Sequence, residues 1–299
     1  MVVYSIKDME SISGVKAHTI RIWEKRYGII KPRRTESNIR YYTDEDLRHL
    51  LNVCILNKKG HRISKIAEMS REEIRQQVNS YSNINIGVDD KVDALMIFIL
   101  ELDSYNFSLI LDQNIEQQGL EQTMVELIYP LMDKISMAWL AGSFSGVHES
   151  FVTQIIKSKI QACIEALPDK VDNSPKYMIY LAEGEKEELS LLYLHYMLKK
   201  RECKVINLGL EVSLRDVILG CNTAKPDFVF TIINREVPRQ TLQNYIDQIG
   251  SNLQNSQLLL TGYQTVSQII EWPESVTILK DLKSAVDFIQ QSKTVRQAS

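Results

Sequence analysis

The chain has 299 residues, 44% apolar and 24% charged, with a formal net charge of −3 at pH 7; this is an ordinary globular composition, not a disordered or fibrous one. Its longest unbroken apolar run, Ala94–Leu100, is seven residues, against the roughly 20 that a membrane-spanning helix needs, and no charged-then-apolar leader opens it. Cys54, Cys163, Cys203 and Cys221 lack metal-ligand spacing and form no disulfide framework, which fits a reducing, cytoplasmic setting.

The charge is unevenly spread. Residues 1–75 carry 16 Lys and Arg against 10 Asp and Glu, a net of +6, which leaves −9 for the remainder. A basic head on an acidic body predicts a nucleic-acid partner for the head alone.

In chain order, Ile6–Ser13 reads as a short helix, Gly14 as a turn and Ala17–Tyr27 as a second helix. Ile20 and Trp23 form its inward apolar pair, and His18, Thr19, Arg21, Lys25 and Arg26 its polar face. One helix braces and the next enters a major groove. Arg33, Arg34, Arg40, Tyr41 and Tyr42 follow in a strand-loop-strand region, where arginine offers forked donors to phosphate and tyrosine a hydroxyl and a ring. Thr43 and Asp46 form a capping box for the next helix. A lone basic helix is usually just a solvated face; turn, helix and basic wing in succession point to duplex DNA.

Residues 79–90 (NSYSNINIGVDD) read as a linker. Residues 91–167 hold no convincing strand, and their apolar positions recur at helical spacing, as in Val147, Phe151 and Ile155. Gly119, Gly142 and Gly146 divide them into about four helices, a small bundle; Pro130 should bend or interrupt one. After a second linker, Pro168–Lys176, residues 176–292 alternate predicted strands (Tyr177–Leu181, Lys204–Leu208, Asp227–Ile233, Gln257–Leu260, Val276–Leu279) with helical patterns. Ser213 and Asp216 make a capping-box pair, and the alternation predicts a doubly wound parallel sheet. The fold class is multidomain: an all-α winged helix-turn-helix head (1–78), a four-helix bundle (91–167) and a flavodoxin-like α/β domain (176–292).

The text YSIKDMESISGVKAHTIRIWEKRYGIIKPRRTESNIRYYTDEDL closely resembles the winged-helix head of the MerR family of transcriptional regulators. The resemblance implies a dimer reading an inverted-repeat operator. It places the DNA contacts at His18, Thr19, Arg21, Lys25, Arg26, Tyr27, Arg34, Arg40 and Tyr41, with the wing arginines, Arg33 included, on phosphates. Members usually dimerise through a long helix behind the head. Here the chain turns after Ser70–Glu73 into linker and bundle, so the oligomerisation surface is expected in the C-terminal part.

The order head, bundle, α/β domain resembles the light-responsive, cobalamin-binding repressors of carotenoid synthesis. By that resemblance Trp139 and Glu149 stand where the bundle covers the corrin. The family's Glu-x-His-x-x-Gly becomes Glu185, Glu187 and Ser190, so a carboxylate replaces the lower cobalt ligand, a poor exchange for imidazole. Leu140 stands at the upper His position and Ser150 at the His of the Glu-His pair. Thr231 occupies the contact to the nucleotide tail, and of a Gly-Gly pair only Gly262 is kept. His148 and His195 read as structural.

The sequence therefore predicts a DNA-binding regulator, a repressor by analogy. Its cobalamin-like module mediates oligomerisation or senses a signal without axial histidines, and no cofactor is expected. The alternatives are a light sensor binding adenosylcobalamin base-off and a corrinoid-dependent enzyme. No phosphate loop, metal cluster or nucleophile–base pair appears, so no catalytic or metal-binding residue is assigned. Glu183, Glu185, Glu187 and Glu188 read as a solvated helix start. Expected partners are double-stranded DNA and further copies of the chain, with no membrane.

Overall fold

Local capping chemistry sets the first elements of the computed structural model, which describes residues 3–35, 38–81, 88–140, 144–169, 174–253 and 256–297. After β1 (Val3–Tyr4), Ser5 caps α1 (Ile6–Ser13): its hydroxyl accepts the Asp8 N–H at 3.3 Å while the Asp8 carboxylate accepts the Ser5 N–H at 2.6 Å. Gly14, at φ 71°, ends α1 in the left-handed region that a side chain disfavours. Next come α2 (Ala17–Ile22), which widens into a π turn over Trp23–Tyr27, then β2 (Arg33–Arg34) and β3 (Arg40–Thr43).

The strand-loop-strand wing is present, and β3 also pairs with β1, giving an antiparallel sheet of order β1-β3-β2. A two-residue strand such as β1 leaves no periodic signal in a sequence. Helix α3 (Asp44–Lys58) starts at the expected box, with Asp46 Oδ2 accepting the Thr43 N–H at 3.0 Å and the Thr43 hydroxyl at 2.9 Å. The Tyr4 hydroxyl donates to Asp44 at 2.5 Å and ties β1 to this helix.

On α3, His49 is buried, and burial followed by the nearby Arg71 charge holds its pKa down to about 4. The unfolded chain then binds the proton more readily, from pH 6.5 downward. Acidification from there to about pH 4 should remove about 3 kcal/mol of stability through this group. Thermal melts of wild type and His49→Gln should therefore converge as pH falls through that window; a constant gap refutes the assignment.

Helices α4 (Ile63–Ile66) and α5 (Arg71–Tyr81) follow, then α6 (Val88–Glu101) and α7 (Ser104–Thr123). Of the expected first linker, only residues 82–87 fall between helices, and they lie outside the described residues. Gly119, at φ 80° and ψ 165°, breaks the helical path of α7; Gly142 lies outside the described residues. The expected bend at Pro130 takes another form. A π turn over Met124–Ile128 leads directly into α8 (Tyr129–Leu140), with Pro130 in its first turn. The helix is continuous there, and the widened turn upstream makes room for the ring and for its missing N–H. Helix α9 (Gly146–Glu165) begins at the third punctuating glycine. Among the described residues, no helix is long and apolar enough to cross a membrane.

The chain divides into two compact units, Met1–Ile155 and Ile156–Ser299. The second alternates strand and helix: β4 (Lys176–Ala182), α10 (Glu188–Lys200), β5 (Lys204–Val212), α11 (Leu214–Ala224), β6 (Phe228–Ile232), α12 (Arg239–Asn252), β7 (Gln257–Thr261), α13 (Tyr263–Ser267), β8 (Val276–Ile278) and α14 (Leu282–Gln297). All five strands are parallel, in the order β5-β4-β6-β7-β8, the doubly wound arrangement expected.

Side-chain alternation explains the two covered faces. Met178, Tyr180, Val229, Leu258 and Leu260 pack with Val217 of α11 and Leu242, Ile246 and Ile249 of α12. On the other face Tyr177 stacks on Phe228, which meets Phe288 of α14 edge-on, and the Tyr177 hydroxyl bonds Ser292 at 2.7 Å. Strand β5 runs four residues past its predicted end, Leu208, because Gly209 and Glu211, at positive φ, absorb the register shifts against β4. Ser213 caps α11, accepting the Asp216 N–H at 3.2 Å. The other half of the expected box is replaced by a 2.7 Å bond from the Ser213 hydroxyl to the Asp216 carboxylate.

Candidate nucleic-acid interface

The recognition helix is aimed by residues outside its polar face. Glu10 of α1 accepts the Ala17 N–H at 3.1 Å and pairs with Lys16 at 3.2 Å. The backbone bond to Ala17, with the Lys16 contact, holds the Glu10 carboxyl below its usual range. A carboxylate thus satisfies an open N–H at the start of α2 and fixes its angle to α1. At the other end Gly28, at φ 67°, closes the π turn.

Ile20 and Trp23 are buried, as expected, while His18, Arg21, Lys25 and Arg26 are exposed and Thr19 and Tyr27 partly so. His18, Arg21 and Lys25 are spaced three and four apart and share one helical stripe. The Arg26 guanidinium lies 5.5 Å from the centre of the Tyr27 ring.

Glu24, on the same helix, holds the wing. Its carboxylate pairs with Arg40 Nε at 3.3 Å and accepts the Tyr42 hydroxyl at 3.3 Å. Burial, and then this carboxylate, push the Tyr42 hydroxyl up to about 12. Arg33 and Arg34 are exposed on β2, and Arg34 donates to Asn38 Oδ1 at 2.7 Å across the wing turn. Tyr41 is partly exposed and Arg40 is half-engaged by Glu24. The structure thus joins the predicted helix to the wing through Glu24 and sets the start of that helix through Glu10. Glu24 stands in the Trp-Glu-x-Arg-Tyr-Gly run that carries the family resemblance, but its role and that of Glu10 appear only once folding brings their partners in.

The other candidate residues divide between the units. In the first, Trp139 on α8 is 48% exposed and Glu149 on α9 is exposed. In the second, Glu185 is buried, and its carboxylate accepts the N–H groups of Asn234 and Arg235 at 3.1–3.2 Å. It is therefore no solvated helix start: burial raises its pKa and these bonds oppose the rise. Glu187 precedes α10 and accepts the Ser190 hydroxyl at 3.5 Å, and Glu188 pairs with Lys157 at 2.5 Å. Thr231 is fully buried in β6, beside Tyr180 in register.

Gly262 sits at φ 114°, where an added Cβ would lie 2.5 Å from the Ile233 carbonyl oxygen. Asn234 Oδ1 accepts the Tyr263 N–H at 2.7 Å and closes the same junction. Gly262 thus serves the packing of two strand-end loops on each other. Beside them, a cleft of about 270 Å³ opens at the carboxyl ends of the strands, lined by Glu183, Glu185, Arg235, Leu242 and Tyr245 among others. It lies at the point where the strand order reverses, the usual ligand crevice of such sheets.

These residues do not fit axial ligation of a corrinoid cobalt. The position that the resemblance gives to the lower ligand carries the Glu187 carboxylate. His195 and His148 bond Asn207 and Ser145 through Nδ1, at 3.3 and 3.1 Å, and stand at neither of the axial positions that the resemblance assigns. Among the described residues, no group of three or more His, Cys, Asp or Glu could hold a metal ion.

Residues 4–73 match the model of the MerR HTH family regulatory proteins, so the chain carries a MerR-type helix-turn-helix domain at its N-terminal end. The chain is also 24% identical over 232 residues to the HTH-type transcriptional repressor CarH of Myxococcus xanthus, covering 76% of this chain and 77% of the relative. It is 22% identical over 227 residues to CarA of the same organism, covering 75% and 74%. The fold is like that of the monomethylamine corrinoid protein of Methanosarcina barkeri, with a TM-score of 0.51 at 10% identity, over 69% of this chain and 99% of that one.

Proposed function

We propose that the protein is a cytoplasmic, sequence-specific DNA-binding transcriptional regulator that reads an inverted-repeat operator as a homodimer or higher oligomer and represses by occlusion. The observation that carries this reading is the exposed stripe of His18, Arg21 and Lys25 fixed beside the wing arginines by Glu24. The work divides among a DNA-binding head (1–78), a bundle (91–167) and an α/β module (176–292) joined by linkers. His18, Thr19, Arg21, Lys25, Arg26, Tyr27, Arg33, Arg34, Arg40 and Tyr41 make the DNA contacts. The module mediates oligomerisation or senses a signal without axial histidines, and the protein is not an enzyme. Repressor relatives support the regulatory assignment, and Glu187 and Leu140, at the positions that the resemblance gives to axial histidines, support that of the module.

A second reading, a cobalamin-dependent sensor binding the cofactor base-off, draws on the exposure of Trp139 and Glu149. One experiment separates the two. Fluorescence anisotropy with a labelled fragment of the gene's own promoter should give saturable binding that random duplex competes poorly. Gel filtration after incubation with adenosylcobalamin should give a colourless protein peak. No preference for the promoter removes the DNA reading; a coloured peak replaces the first reading of the module by the second.

A further inference from the structure

Asp93 is a buried carboxylate that none of the foregoing uses. It lies on α6, with its side chain only 3% exposed. Lys58, at the end of α3 in the head, reaches its Oδ2 at 2.6 Å, and Lys134 of α8 reaches its Oδ1. One turn before Lys58, Cys54 is buried, and burial with the Asp93 charge pushes its thiol up to about 12. A second contact of the same kind joins Arg75 of α5 to Glu101 of α6 at 3.8 Å.

A carboxylate taken out of water costs free energy unless its partners are well placed. Here they come from two helices far apart in sequence. Both lysines keep part of their length in solvent, with side chains 43% and 18% exposed, so only the anion is fully buried. The contact therefore demands one relative placement of α3, α6 and α8. Helix α3 follows the wing directly and is bonded to β1 through Asp44. Fixing α3 fixes the frame that carries the recognition helix. Helix α8 also bears the exposed Trp139, five residues beyond Lys134. The residues of the DNA stripe remain exposed in this arrangement, so the bundle holds the head without covering its reading face.

We propose that Asp93 clasps the DNA-binding head to the bundle through Lys58 and Lys134, and that this clasp sets operator affinity by fixing how the head is presented. The affinity part rests on the head being the DNA-binding element; the clasp itself does not. A head held in place loses less orientational freedom when an operator engages two copies at once, and a loosened head loses more. Asp93 is thus a positioning residue and touches no DNA.

The test uses the full-length protein with Cys163→Ser and spin labels at Ser64→Cys in the head and Gln117→Cys in the bundle. Double electron–electron resonance should give one narrow distance distribution. Asp93→Asn and the milder Lys58→Met should broaden it, with far-UV circular dichroism unchanged, and should weaken binding to the promoter fragment by about fivefold or more. Lys58→Met keeps the test usable if Asp93→Asn fails to fold, because Lys58 is the more exposed partner. A broad distribution in the parent protein, or variants that leave it narrow, overturns the clasp. Broadening with unchanged promoter affinity overturns the coupling. If no form of the protein prefers the promoter, the DNA reading has failed and the resonance result still decides the clasp.

Discussion

Trp23→Ala destabilises the first unit by about 3–5 kcal/mol, the cost of removing a large buried aromatic side chain and leaving a cavity. Trp23 is 8% exposed and stands at the start of the π turn, where the recognition helix changes pitch. The buried set of the head includes Tyr4, Met9, Ile12, Ile20 and Leu47, each at 1% exposure or less. A small domain has few such groups, so one indole is a large share of its core. The melting temperature of this unit should fall on the order of 10 °C by circular dichroism. Ile22→Ala, on the neighbouring side chain that is 49% exposed, should change it little. Equal effects from the two variants would mean that the inward face of the helix has been misplaced.

Arg21→Ala weakens binding to the promoter fragment by roughly 1–3 kcal/mol if Arg21 reads a base edge. The side chain is exposed on the stripe shared with His18 and Lys25, near enough to Tyr42 to lower its pKa slightly. An arginine on a base edge relaxes specificity when removed; one on a phosphate weakens all duplexes alike and reduces the salt slope by about one. Anisotropy titrations at several salt concentrations, with promoter and random duplex, distinguish these outcomes. Arg239→Ala, on an exposed residue at the start of α12, is the control and should bind DNA as wild type does. An Arg21 variant that binds like wild type at every salt concentration refutes the placement of the recognition helix.

The contrast between the two substitutions follows from where each side chain points. Trp23 and Arg21 are two residues apart, so they face nearly opposite sides of the helix. One sets whether the helix exists in its place, the other what it can hold once there. Asp93 adds a third level, the attachment of that helix's frame to the rest of the unit.

Much of this molecule was decided along the chain. Ser5 with Asp8, Gly14, Gly28 and Thr43 with Asp46 start and stop helices through bonds that span only a few residues. The inward pair Ile20 and Trp23 and the alternation of strand and helix after residue 175 follow from periodicity alone. Such features are local, so composition and spacing reveal them. What only the tertiary structure decided joins residues distant in sequence. Glu24 grips the wing from 16 and 18 positions away, Glu185 caps a loop 49 and 50 positions ahead, and Asp93 binds lysines 35 and 41 positions to either side. Gly262 likewise is required by the Ile233 carbonyl, 2.5 Å from where a Cβ would stand. An isolated carboxylate or glycine has no period and no cap to announce it. Its role arises when folding brings a distant donor, cation or backbone atom within about 3 Å.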